Sequence, residues 1–269
     1  MKFSIFQESR IGQRKSNQDR LIYRYTRDAL LMVVADGMGG HPFGEVAAQI
    51  TVEHLDETFR RTARPTLADP RLFLLRELSD AHHAIVRHAA ERGLPEVPCT
   101  TCVACIVQHG LAYWAHAGDS RLYAIRAGKL LTRTRDHTQV QLLLDQGLID
   151  AAAAAVHPAR NRIYNCLGGS QPPQIEAAGE TPLLPGDIIA LCSDGAWGPL
   201  PDDTLVRILA EAGPMAAVPR LLGMAETKAG NSCDNLTLMA MQWDDNGAGQ
   251  TKLHSQTAAS PPAVLAAKQ

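Results

Sequence analysis

The chain has 269 residues and a formal net charge of −2; 45% of its residues are hydrophobic and 20% are charged. This composition is typical of a soluble globular protein with a full core, and the length suits one large domain or two small ones. The charge balance gives no electrostatic case for binding nucleic acid or an acidic membrane, and no apolar run approaches the roughly 18 residues that suggest a spanning helix. Because the N-terminus lacks the long apolar segment of a signal peptide, we expect a cytoplasmic protein.

Hydrophobic periodicity predicts strands and helices in an irregular order along the chain. The predicted strands are 1–11, 21–25, 29–35, 99–108, 111–117, 121–126, 129–132, 187–193 and 235–243. The predicted helices are 44–61, 69–93, most of 138–158, 202–213 and 216–230. Hairpins and long helices without a regular βαβ rhythm favour antiparallel sheet packed against helices. Residues 244–269 contain few large apolar side chains, so we predict a disordered tail.

Three of the six cysteines are closely spaced, at Cys99, Cys102 and Cys105. The spacing C-x-x-C-x-x-C can begin an iron–sulfur site. On a strand, however, Cys99 and Cys105 would share one face while Cys102 points to the other. We therefore interpret them as buried structural thiols, and we expect all six cysteines to be reduced in a large chain without a secretion signal.

One apolar run ends abruptly in Asp36, which is followed by glycines at 37, 39 and 40. Glycines after a strand can cradle a phosphate, but the spacing G-x-G-G matches neither nucleotide-binding pattern, and an aspartate at the mouth disfavours an anion. A cation fits better, because aspartate is a hard oxygen ligand and glycine lets a backbone carbonyl approach the same ion. An ordinary Asp-Gly turn is the alternative for this stretch alone.

Aspartates stand beside other predicted strands as well. They are Asp194 and Asp119 after strands, Asp234 before one, and Asp19 in a polar loop. Each alone would be read as a turn or cap residue. If those strands are neighbours, the carboxylates collect in one place, where they repel unless they are protonated or bind cations. An all-oxygen cluster favours Mg²⁺ or Mn²⁺ over zinc.

Six short motifs occur in a fixed order: R-x-x-N-[EQ]-D, D-G-M-G-G, G-D-S-R, D-H-[ST], S-D-G and D-N-x-T. They lie at Arg14–Asp19, Asp36–Gly40, Gly118–Arg121, Asp136–Thr138, Ser193–Gly195 and Asp234–Thr237. This order resembles the bacterial form of the PP2C (PPM) family of metal-dependent protein phosphatases. The resemblance implies an α+β fold, a four-layer α-β-β-α sandwich of two antiparallel sheets flanked by helices. It also implies a phosphatase domain over 1–243, with a flap near 139–161.

The resemblance further implies a serine/threonine phosphatase that hydrolyses phosphoserine and phosphothreonine on proteins. Attack would come from a hydroxide that bridges two tightly bound Mn²⁺ or Mg²⁺ ions, and a third ion would bind more weakly. The expected partners are phosphorylated proteins and a bacterial Ser/Thr kinase that the enzyme opposes, and we expect a monomer that binds neither nucleic acid nor membrane.

The resemblance assigns the metal ligands by position. Asp36 would bridge both metals, the Gly37 carbonyl would face one, Asp194 and Asp234 would complete the ligands of the other, Asp119 would hold the third, and Asp19 would act through water or hydrogen bonds. For Asp119, the alternative is a residue that caps a turn or pairs with Arg121.

Two residues are candidates for contacting substrate. Arg14 would bind the phosphate with its planar guanidinium, although a solvated surface arginine is the alternative. Met38 stands where some eukaryotic relatives have a proposed general acid, so His41 is a candidate for that role. A structural histidine at 41, with a metal-bound water as the acid, is the alternative.

Two other functions compete with the protein phosphatase. One is a non-catalytic phosphoprotein-binding module on the same fold, which loss of Asp36 or Asp234 would favour, and both are present. The other is a metal-dependent phosphatase acting on a small molecule.

Overall fold

The computed structural model describes residues 1–38 and 43–244. Its strands are β1 (Phe3–Arg10), β2 (Asp19–Tyr25), β3 (Ala29–Asp36), β4 (Cys99–Thr100), β5 (Cys102–Gln108), β6 (Leu111–Ala117), β7 (Arg121–Arg126), β8 (Lys129–Arg133), β9 (Leu167–Gly168), β10 (Glu176–Pro182), β11 (Ile188–Cys192) and β12 (Leu236–Trp243). Its helices are α1 (Gly44–Thr62), α2 (Pro70–Arg92), α3 (Gln139–Asp145), α4 (Ala151–Ala155), α5 (Asp194–Trp197) and α6 (Asp202–Ala229), followed by a 3-10 turn at Gly230–Ser232.

The strands form two five-stranded antiparallel sheets, with orders β1-β12-β11-β7-β8 and β10-β6-β5-β3-β2, and a small β4-β9 pair. Strand β3 shows how the layers pack. Its Leu31 and Val33 belong to the core shared with α1 and α2, whereas Leu30 and Met32 belong to the core between the sheets. A third core lies between the first sheet and α6. The predicted four-layer sandwich is thus confirmed.

Several predicted boundaries were wrong. The strand predicted at 99–108 is broken at Thr101, because β4 pairs with β9 while β5 pairs with β3 and β6. Most of the segment 138–158 is helical, as predicted, and it is divided into two short helices, α3 and α4. Helix α6 loses helical geometry at Gly213, which agrees with the predicted separation of two helices there.

The cysteines are reduced thiols. As predicted, Cys102 and Cys105 lie on opposite faces of β5, one toward the helices and the other toward the facing sheet. Residues 245–269, most of the predicted disordered tail, lie outside the described residues. Within the described ranges, no helix has the length and hydropathy needed to cross a bilayer.

Candidate metal centre

The antiparallel pairing brings several strand ends to one edge of the sandwich. Strand β2 begins where β3 ends, so Asp19 and Asp36 are direct partners in the ladder. Strand β12 likewise begins near the end of β11, which brings Asp234, just before β12, and Asp194, the first residue of α5, to the same edge. Residues 118–120 connect β6 of one sheet to β7 of the other, so Asp119 lies on a link between the sheets.

The backbone around Asp36 is held by several hydrogen bonds. The carbonyl of Asp36 accepts from the Thr100 hydroxyl and the Thr101 N–H, each at 2.8 Å. Gly37 N–H donates to the Gln18 carbonyl at 3.2 Å. A Cβ at Gly37 would lie 2.4 Å from the Gly44 carbonyl, so only glycine permits this close approach of the loop to the start of α1.

The Asp19 side chain is buried and oriented by Ser193. The Ser193 hydroxyl donates to Asp19 Oδ2 at 2.8 Å and accepts from the Thr237 N–H at 3.0 Å. Asn17 Oδ1 accepts from the Asp19 N–H at 3.0 Å, which holds the polar loop in a tight turn. The second carboxylate oxygen of Asp19, Oδ1, is buried without a hydrogen-bond partner among the described residues.

Asp119 is also buried, and its Oδ1 likewise has no hydrogen-bond partner within the described chain. The predicted alternative of a pair with Arg121 is wrong. Arg121 makes a two-pronged contact with Asp136 at 2.8 and 2.7 Å, and its guanidinium lies 3.3 Å from the centroid of the Trp197 ring. The Trp197 indole N–H instead donates to the Asp119 backbone carbonyl at 3.0 Å.

Arg14 reaches the same cluster. Its Nη2 lies 2.6 Å from Asp234 Oδ2, and this hydrogen bond is the main cause that raises the pKa of Arg14. The Arg14 side chain is 52% exposed, so the guanidinium sits at the mouth of the cluster and remains accessible from solvent. His41 lies outside the described residues, and its predicted role as an acid stays a prediction.

The carboxylates act on one another electrostatically. Burial raises the pKa of Asp36 well above its usual range, and four neighbours add to the shift: Asp19, Asp194, Asp119 and Asp234. Burial is also the first cause of the raised pKa of Asp119, followed by the charge of Asp194. The pKa of Asp194 rises to about 6 through burial, then through Asp234 and Asp19.

The cluster fits hard divalent cations. Its donors are carboxylate oxygens and a backbone carbonyl, which suit Mg²⁺ and Mn²⁺ better than zinc. Two buried carboxylate oxygens, on Asp19 and Asp119, lack hydrogen-bond partners within the described residues, and such atoms are costly unless they are compensated. A nearby cation would satisfy these oxygens and lower the raised pKa values.

Several residues that support the site were not predicted from the sequence to do so. Asn235 accepts from the Gln18 N–H at 2.9 Å and donates to the carbonyls of Ile11 and Ser16, which ties the N-terminal loop to β12. His137 Nδ1 accepts from the Gly118 N–H at 3.1 Å, which fixes the loop that carries Asp119. The motifs D-N-x-T and D-H-T marked these residues, but their contacts are long-range.

Comparison with known proteins gives the same picture. A family model described as Protein phosphatase 2C matches residues 6–219. The chain is 32% identical over 248 residues to the serine/threonine protein phosphatase PstP of Mycobacterium tuberculosis, covering 90% of this chain and 45% of PstP. It therefore spans less than half the length of that relative.

Solved structures agree in fold. The Streptococcus agalactiae serine/threonine phosphatase is 28% identical, with a TM-score of 0.80, and the match covers 90% of this chain and 100% of that one. The catalytic domain of PstP, crystallised with two manganese ions, is 29% identical with a TM-score of 0.73, over 90% of this chain and 99% of that one.

Proposed function

The chain belongs to the protein phosphatase 2C family of serine/threonine protein phosphatases, and from that premise we propose how its aspartate cluster works. Asp36, the Gly37 carbonyl, Asp194 and Asp234 hold two divalent cations, and Asp119 holds a third more weakly. The observation that carries this proposal is the convergence of carboxylates from both sheets, two of them with buried oxygens that have no hydrogen-bond partner among residues 1–38 and 43–244. The two manganese ions in the structure of the PstP catalytic domain support a pair of divalent cations in a relative of this chain.

The reaction is hydrolysis of phosphoserine and phosphothreonine on proteins. When bound, the cations supply positive charge for the phosphoryl oxygens and an acidified water for in-line attack on phosphorus. The residues of the chain position the reactants. Arg14 leaves Asp234 to bind the substrate phosphate through its planar fork, and Asp19, oriented by Ser193, accepts hydrogen bonds from water at the site.

Asp119 has a different task from the other aspartates. It lies on the link between the sheets, with its backbone carbonyl held by Trp197 and its loop held by His137. Fewer protein carboxylates surround this position, so its cation binds more weakly because less charge offsets dehydration of the ion. We therefore infer that Asp119 contributes to the rate of turnover through the weaker cation and does not bind the tight metal pair.

Residues 139–161 form the flap of a phosphatase domain that spans 1–243. Its two short helices, α3 and α4, are separated by a turn, and Leu148 and Val156 are 65% and 79% exposed. The resemblance to the family makes this segment the one that faces the substrate, and exposed apolar side chains there suit contact with a protein substrate better than with a small charged metabolite. A Ser/Thr kinase must generate such a substrate, so the enzyme opposes a kinase of that class.

A turnover assay tests the proposal. Phosphothreonine peptide and p-nitrophenyl phosphate are incubated with the full chain in Mn²⁺, in Mg²⁺ and in excess EDTA. We expect hydrolysis with either metal, none in EDTA, and almost none with Asp36→Asn, which removes a charge shared by two ions. Glu57→Gln, an exposed charge-removing change on α1, is the matched control. Full activity in EDTA would refute the metal assignment, and turnover of p-nitrophenyl phosphate alone would refute the peptide substrate.

A further inference from the structure

Two cysteine thiols lie side by side next to the candidate metal centre. Cys99 opens β4, which pairs with β9 in the register Cys99↔Gly168 and Thr100↔Leu167. If the same register is extended by one residue, Cys166 lies opposite Thr101. Residues two apart on a strand share a face, so Cys166 lies on the same face of the ladder as Cys99. The side chains of Cys99 and Cys166 are in hydrogen-bond contact with each other.

The backbone around the two sulfurs leaves room for them. A Cβ at Gly169 would lie 3.2 Å from Cys99 Sγ and 4.0 Å from Cys166 Sγ, so both sulfurs face the same glycine. Cys99 is buried, whereas Cys166 is only partly buried and therefore open to a small solute. By contrast, Cys102, Cys105 and Cys192 are fully buried among apolar side chains.

Strand β4 is also the backbone support of the metal loop. The Cys99 carbonyl accepts from the Met38 N–H at 3.0 Å, and Thr100 forms an isolated bridge with Gly37. The Thr100 hydroxyl and the Thr101 N–H both donate to the Asp36 carbonyl. Any change in the position of β4 is therefore transmitted directly to Asp36 and Gly37.

We propose that Cys99 and Cys166 form a thiol–disulfide switch, oxidised by a peroxide, that displaces β4 and so weakens the metal loop. The Cys166 thiolate attacks the peroxide O–O bond, forming a sulfenic acid and releasing hydroxide, which takes up the thiol proton to become water. The Cys99 sulfur then attacks the Cys166 sulfur, forming the S–S bond and expelling a second water. Two thiols lose two electrons and two protons, and hydrogen peroxide becomes two waters. A dithiol reductant reverses the change by thiol–disulfide exchange.

The reaction is slow at neutral pH. The hydrogen bond with Cys99, and then burial, raise the pKa of Cys166, so little of the reactive thiolate is present.

Peptide mapping tests the switch without relying on catalysis. The full chain is treated with hydrogen peroxide, alkylated and digested without reductant. We expect a peptide pair linked through Cys99 and Cys166 that is two hydrogens lighter than the separate peptides. The link should be absent in Cys166→Ser and in Cys99→Ser, and should persist in Cys105→Ala, a thiol of β5 without such a neighbour. Absence of the link when the accessible thiol has been consumed would overturn the proposal.

The effect on the metal loop, which rests on the proposed function, has two readouts. We expect oxidation to reduce both the Mn²⁺-induced rise in melting temperature and peptide turnover, with dithiothreitol restoring both. Turnover should fall about tenfold or more, since displacements of about 1 Å can cost about 10²-fold. Cys166→Ser should resist this loss. A link that leaves the Mn²⁺ response unchanged would overturn the switch, whereas a reduced chain that binds Mn²⁺ but lacks turnover would instead overturn the proposed function.

Discussion

Replacing Asp194 by asparagine should stabilise the metal-free protein while weakening its response to metal. Burial and the charges of Asp234 and Asp19 raise the pKa of Asp194 from 3.8 to about 6. A carboxyl group whose pKa is higher in the folded state binds its proton more tightly there, so its ionisation destabilises the fold above that pKa. A shift of about two units corresponds to about 3 kcal/mol.

The expected gain in the free energy of unfolding of Asp194→Asn is smaller than that figure. Asparagine must also be desolvated, and solvent screens part of the repulsion between the carboxylates. We expect about 1–2 kcal/mol, or about 2–8 °C in melting temperature for a domain of this size. The upward direction of the pKa shift of Asp194 also predicts how the stability depends on pH. In EDTA, the contribution of Asp194 to stability should fall as the pH rises from about 4 to 6 and stay low above that. Asp194→Asn should flatten this part of the profile.

Thermal melting of the full chain and the variant, in EDTA and in Mn²⁺ at a pH above 6, measures both effects. The parent should gain stability from Mn²⁺, because a ligand that binds only the native state stabilises it. Asp194→Asn should have the higher melting temperature in EDTA and gain less from Mn²⁺, and Glu57→Gln should behave like the parent. A variant that melts below the parent in EDTA, or that gains as much from Mn²⁺, would refute the reasoning.

Three other substitutions test separate parts of the site. Arg14→Ala should raise KM for phosphopeptide, since a charged hydrogen-bonded contact is worth about 1.5–3 kcal/mol; an unchanged kcat/KM would return Arg14 to the role of a surface residue. Asp119→Ala should lower kcat but leave two tight sites in a calorimetric Mn²⁺ titration, and a lowered melting temperature with normal kcat would contradict its metal role. Arg121→Met should reduce the free energy of unfolding in urea by about 3–5 kcal/mol, because buried Asp136 loses its partner; a change within error would show that this pair is not structurally important.

The sequence predicted the strand-end aspartates because their signals are local. An apolar run that ends in Asp-Gly marks both Asp36 and Asp194, and antiparallel pairing then brings such ends together. The partner of Arg121 could not be predicted in this way. Its contact with Asp136 spans a hairpin and also depends on the position of Trp197, which only the assembled sheet determines.

The segment 138–158, predicted to be mostly helical, is divided into two helices for a physical reason. Leucines and alanines give this segment high helix propensity, yet Gly147 has a φ of 67°, a left-handed conformation that ends the first helix. Strand β10 was not predicted, because its sequence EAAGETP lacks the β-branched and aromatic alternation of a typical strand. It forms by pairing with β6, which is a tertiary effect.

The position of the cluster explains how the fold can contain so many repelling carboxylates. They stand at the ends of strands whose middles are buried on both faces, as in β3 and β11. The repulsion among these carboxylates is therefore offset by the packing of the cores between the sheets and beneath the helices. The few contacts of a surface loop would not offset it. Strand β4 and Thr101 meet residues 36–38 in four backbone and hydroxyl contacts, through which the proposed thiol switch would act at this edge of the sandwich. Changes in metal, proton or thiol state are thus expected to alter the edge of the sandwich and leave its layers in place.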